Sequence, residues 1–357
     1  MLISWFAPGT RAHGVPYAAG FGVTNDPRRP TPYDGDPELF HHHAQHSPYA
    51  QSHIAYALCF DHLVPTKELI AVHEQVLNAM MPARVEGSVM TLGLQHTEPG
   101  PFGMRDRTAG HACVSCLDLL RGRFFQPVFR AEGQYRLELA QELINQSSPY
   151  NSPKDPEHAR SISVTTRPRA GGQSETLRNI RSAIRLVGDD LLSADSLRAT
   201  LHACGALDAE IDGSRPGRFA ASFSFVADDG DITRARLVVR PGQVEKLMRG
   251  SSLRRLLGDR YVRSPQVFEV MRTEFLTQIA IATAKWGLKH DTDFDRFEQV
   301  LEWAHRLSFA PLEKTLPGPV TEVFKHMPNL AAPKISGPQV RENSFGIRPL
   351  SPPHLET

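Results

Sequence analysis

Along "TKELIAVHEQVLNAMM", beginning at Thr66, apolar residues recur every three or four positions. That is the spacing of a helix burying one face, with Thr66 as a plausible N-cap and Pro82 as its stop. On either side the pattern shortens. "MLISWF", "HIAYALCF" at 53–60, "SVMTLGLQH" and "GHACVSCLDLL" are short apolar runs bounded by turn residues, and they predict strands. "PELFHHHAQHS" predicts a short helix, and "QYRLELAQELINQ" from about Gln134 a long one. Several neighbouring strands with helices between them predict an α+β fold, an antiparallel sheet with helices packed on it.

Turn-forming residues crowd into "SSPYNSPKDPEHAR", so residues 1–150 form a first domain and 151–172 a linker. Residues 173–250 form a small α+β module, with helices in "SETLRNIRSAIRLVG" and "SADSLRATLHACG" ahead of the hairpin "GRFAASFSFVADDGDITRARLVV". Two amphipathic helices make 251–310 a helical region. The Pro-rich 311–357 tail is expected to be poorly ordered.

Composition narrows the classes. In 357 residues, 40% are apolar and 22% charged, as in globular proteins. Lys plus Arg (40) and Asp plus Glu (39) nearly cancel, so only a local patch could argue for nucleic acid. No apolar stretch is long enough to span a membrane, and the N-terminus lacks a signal-peptide pattern, so a cytoplasmic location is expected. The four cysteines then read as thiols.

The chemistry-bearing residues concentrate in "QHTEPGPFGMRDRTAGHAC". Strand alternation puts Ala109, His111 and Cys113 on one face and Cys116 on the other, which splits the "CVSC" pair and argues against a zinc knuckle. His96 ends the preceding strand, and the loop to His111 could fold back so that the two imidazoles meet. On residue types alone they could equally be ordinary strand-end histidines. His41, His42, His43 and His46 read as a solvated helix face, and Tyr17 follows a Gly-rich turn. No phosphate-cradling loop is present.

The order of these pieces resembles the relaxase domain of plasmid mobilization proteins, the MobA type of MOBP relaxases. "GVPYAAG" stands where that family has its tyrosine segment, "SPYAQSHIAYALCF" where it has a short S-P-Y/F stretch, and "MMPA" where its helix ends M-P-G. "LGLQH" stands at its W-V-E-H, "GRFFQPV" at its G-K-R-L-Q-P-Y, and "DPEHAR" at its linker. The resemblance covers about the first 160 residues, with "ARLVVRPG" echoing the segment that follows.

It implies a relaxase-like DNA strand transferase, a site-specific endonuclease that nicks single-stranded DNA at the transfer origin of a plasmid or mobile element. Tyr17 would be the catalytic nucleophile, and His96 and His111 would hold a divalent metal, Mg or Mn. The family places two histidines, or a Glu and an Asn, at 109 and 111; Ala109 is a departure. Cys113, Asp106 or Asp61 could substitute as ligands, and Arg11, Arg105, Arg107 and Arg123 are candidates for DNA contact. Partners implied are single-stranded DNA, accessory mobilization proteins and a type IV coupling protein, all in conjugation. A relaxase-derived protein that binds DNA without cutting, and an unrelated cytoplasmic α+β protein, stay open beside this reading.

Overall fold

A computed structural model describes residues 1–5, 9–10, 30–98, 106–128, 130–155, 163–168, 177, 180–181, 184, 193–215, 218–227, 229–240, 248–259 and 261–311. Its strands are β1 (Leu2–Trp5), β2 (Gly9–Thr10), β3 (Thr31–Asp34), β4 (Gln51–Cys59), β5 (Thr91–Glu98), β6 (Arg107–Ser115), β7 (Leu117–Asp118), β8 (Arg123–Phe124), β9 (Ser163–Pro168), β10 (Ala206–Arg215), β11 (Arg218–Val226) and β12 (Ile232–Arg240). Its helices, in chain order, are α1 (Pro37–Gln45), α2 (Thr66–Met80), α3 (Arg130–Ser147), α4 (Ala194–Ala203), α5 (Arg254–Leu257), α6 (Pro265–Gly287) and α7 (Phe294–Arg306). The chain is α+β, and its ladders are antiparallel.

The first sheet has the order β1-β4-β6-β5-β3, with β2 pairing further along the β1 edge of β4. Its central strands are apolar on both faces because both are covered. Ile54, Tyr56, Leu58, Ala112 and Val114 face the main core beneath α2 and α3. The alternate residues Leu92, Leu94 and Cys113 face a smaller cluster closed by Phe40 and Ala44 of α1. Strand alternation therefore separates Cys113 from Cys116, which lies in the main core. Burial pushes both thiols up to about 12.

Helix boundaries shift by small amounts from the periodicity reading. Pro65 takes the N-cap position of α2 without a side-chain cap, so Thr66 is the first helical residue, and its hydroxyl donates to Gln95 Oε1 at 2.8 Å. Asp36 caps α1, Oδ1 accepting from the amides of Glu38 and Leu39 at 2.8 and 3.0 Å.

Residues 251–310 do not stand apart from the first domain. Phe268, Met271, Phe275 and Ile279 form one buried stripe of α6 at helical spacing, and with Leu253, Val300 and Ala304 they complete the main core. The helical region and the first domain share one core, in which each buries the other's apolar face. His290 Nδ1 and Asp118 Oδ2, 2.8 Å apart, fasten the end of this helical pair to β7.

The second sheet has the order β10-β11-β12-β9 and its own core, with Leu177, Ile180, Ile184, Leu197 and Leu201 packing on Phe223, Phe225, Leu237 and Val239. The β11–β12 hairpin turns at Gly230, whose φ of 90° suits glycine. β9 and β10 are among the strands that were not legible in the sequence. β9 lies inside the stretch read as a linker, and it pairs with β12 from Pro168↔Ala235 to Ser163↔Arg240. β10 carries Asp208, Glu210 and Asp212, which mask its alternation. The Pro-rich tail beyond residue 311 lies outside the described residues.

A candidate histidine site on the first sheet

Antiparallel pairing brings the two histidines together. In the β5–β6 ladder His96 is the Cα partner of Ala109, and Leu94 that of His111. His96 and His111 are therefore diagonal neighbours on one sheet face. Their rings stack with centroids 4.8 Å apart and planes inclined by 21°. Both are partly exposed, at the end of this face that runs past the cluster under α1.

The expected substitute ligands divide. Cys113 shares the face with His111 but is buried against Phe40, Leu92 and Leu94, where a thiolate would be poorly solvated. Asp106 is exposed just ahead of β6. Asp61 is engaged elsewhere: His62 Nδ1 lies 2.7 Å from its Oδ1, and the Asn151 amide donates to its Oδ2. Burial raises its pKa, but the His62 hydrogen bond, the N-terminal amine and Asn151 outweigh that and hold the carboxyl at about 2. As the side chains stand, no three His, Cys, Asp or Glu among the described residues are gathered as a metal-holding group.

Of the arginines, Arg107 lies on β6 two residues before Ala109, hence on the histidine face. Arg123 sits in the β7–β8 hairpin beyond the other end of β6. The six residue steps from Ala109 to Ser115 alone separate the two ends by about 20 Å. Tyr17, Arg11 and Arg105 lie outside the described residues.

Two features had no sequence signal of their own. His43 turns from the α1 surface toward the sheet, its Nε2 2.7 Å from the Ser115 hydroxyl, while His42 and His46 stack on the outer side. Desolvation lowers the pKa of His43, and it lowers that of buried His53 to about 4. On the second sheet Arg234, Arg236 and Arg240 are exposed at alternate positions of β12. Acidic Asp208 and Glu210 pair with Ser224 and Ser222 of the intervening strand, so the same face carries one basic and one acidic row.

No helix among the described residues is long and apolar enough to cross a membrane. In comparisons with known proteins, no family model, no curated protein and no solved structure matches the chain.

Proposed function

We propose that this chain is a relaxase-like DNA strand transferase, in which Tyr17 attacks a phosphodiester of single-stranded DNA and His96 and His111 hold a divalent cation beside it. The observation that carries the reading is the meeting of the two imidazoles across β5 and β6 on a partly exposed sheet face. Fourteen residues separate them in sequence, and a hairpin returns them to one point. Two nitrogen donors suit Mn²⁺ or a later divalent ion better than Mg²⁺. When bound, such an ion supplies charge stabilisation to a phosphate oxygen.

The chain's own residues account for the rest. The phenol oxygen of Tyr17 forms the new bond to phosphorus as its proton leaves to water or a neighbouring base, and the bond to the DNA 3′ oxygen breaks, that oxygen taking up a proton from water or the same base. The product is a phosphotyrosine ester and a free 3′-hydroxyl. Phosphodiester bonding is retained, so the strand can be rejoined without a nucleotide cofactor. Arg107, on the histidine face, contributes a fixed positive charge for the DNA backbone.

Incubation with single-stranded oligonucleotides tiling the DNA around the coding frame, with Mn²⁺, should give a covalent adduct on a denaturing gel. Tyr17→Phe should abolish it. Adduct formation by the Phe variant, or none by the wild type, ends the nicking claim.

A second reading is favoured by Ala109, which is 3% exposed and directly opposite His96, where the resemblance expects a further ligand. A DNA-binding protein that does not cut would show salt-sensitive binding to the same oligonucleotides and no adduct with any metal. Accessory mobilization proteins and a coupling protein are partners of the proposal only in its nicking form.

A further inference from the structure

We propose that Cys59 completes a three-ligand site with His96 and His111 for a divalent cation of the zinc class, with the Ala109 methyl as its floor. The inference rests on reading this sheet face as a metal site, and it needs neither Tyr17 nor DNA.

The argument starts from register. Ala109 is the Cα partner of His96 on one side and of Cys59 on the other. Cys59, Ala109 and His96 therefore form one row across β4, β6 and β5. His111 stands in the next row of the middle strand, between Ala57 and Leu94. Directly opposed residues project to the same face, so all four of these side chains share it. His111 is diagonal to both His96 and Cys59. The first diagonal closes to a 4.8 Å ring separation, and the second is its counterpart on the opposite strand.

Reach agrees with this placement. The backbones of Cys59 and His96 are two inter-strand spacings apart, about 10 Å. A metal–thiolate bond of about 2.3 Å from one side and a metal–imidazole bond of about 2.0 Å from the other, added to the two side chains, meet above position 109. Position 109 and its diagonal neighbour 57 are both alanine, so β4 and β6 set no large side chain of their own there; both methyls are 3% exposed, so a bound ion takes the place of what covers them. Cys113 is a poorer donor, since it is closed under Phe40, whereas Cys59 is partly exposed. Because no three ligands are gathered as the side chains stand, binding requires the Cys59 thiol to turn over Ala109.

Binding releases the thiol proton to water, and the thiolate and two neutral imidazoles then donate their lone pairs. A thiolate in the set selects zinc-class ions over Mg²⁺ and Mn²⁺. Such a site departs from the hard-cation expectation drawn from the resemblance.

Titration of the full chain with Co²⁺, followed by absorption, tests this. The expected result is a sulfur-to-cobalt charge-transfer band that Zn²⁺ displaces. Cys59→Ser should remove the band and weaken Zn²⁺ binding at least about tenfold with an unchanged circular dichroism spectrum, on the scale of losing a supporting group at a metal site. Cys59→Ala should give the same readout if serine disturbs the packing. His96→Ala and His111→Ala should each remove most Co²⁺ binding.

Co²⁺ bound without the band, or a band that survives in both Cys59 variants, overturns the role of Cys59 and leaves the histidine pair standing. Absence of any Co²⁺ binding overturns the metal reading of the face as well. The Tyr17 adduct is scored separately, so loss of nicking alone does not bear on Cys59.

Discussion

Ala109 is the residue directly opposite His96 in the β5–β6 ladder, and it is buried. An imidazole introduced there would project onto the face that carries both existing histidines. Ala109→His should therefore tighten Mn²⁺ binding by on the order of tenfold or more, measured by calorimetry. If Ala109 is what prevents cutting, the same variant should gain adduct formation that the wild type lacks.

Arg107 and Arg123 are distinguished by place. Arg107 shares the histidine face, and Arg123 belongs to the hairpin at the far end of β6. If DNA runs over the histidine pair, Arg107→Ala should lower the slope of log affinity against log salt by about 1, and Arg123→Ala should leave it unchanged. Fluorescence anisotropy at several salt concentrations reads both.

His53 is 2% exposed, and burial lowers its pKa to about 4. The unfolded chain protonates this ring near 6.5, so between those two values the unfolded state holds more protons. Stability is full above about pH 6.5, falls as pH drops toward 4, and then levels off. The total is at most about 3 kcal/mol. Urea midpoints across this window should flatten in His53→Gln.

Glu142 is fully buried, with Lys154 Nζ donating to its Oε1 at 3.1 Å. Burial raises its pKa, but Lys154 and neighbouring hydrogen bonds hold it below the ordinary glutamate value. Its contribution is thus present above the unfolded pKa of about 4.3 and is lost as pH falls through the lower folded value. Lys154→Met strands the carboxylate and should cost about 3–5 kcal/mol at neutral pH, whereas Lys154→Met with Glu142→Gln should recover much of that loss.

A Cβ on Gly93 would lie 2.3 Å from Cε2 of Tyr33. Gly93→Ala should cost about 1–3 kcal/mol by overpacking. Shortening Tyr33 to Leu in the same chain should relieve part of it, and a double-mutant cycle of urea midpoints would show the coupling.

Helices and strands with clean periodicity were legible from residues alone. The stripe of α2, the split of Cys113 from Cys116 and the hairpin of β11 with β12 follow from local alternation. Less legible were β9, in a stretch dominated by turn residues, and β10, whose charges interrupt its apolar positions. Cys59 escaped notice for a different reason. Its strand was evident, but its neighbours were not.

Local pattern determines which side chains share a face of one element, because the periods of helix and strand are fixed by backbone geometry. It does not determine register between strands or the partner of an apolar stripe, since many pairings bury similar area. Tertiary packing decided that His96 stacks on His111, that Cys59 and His96 flank Ala109, and that the α6 stripe fills the core beneath α3. Those pairings are long-range, and they are settled by burying both sheet faces at once rather than by the residues nearest in sequence.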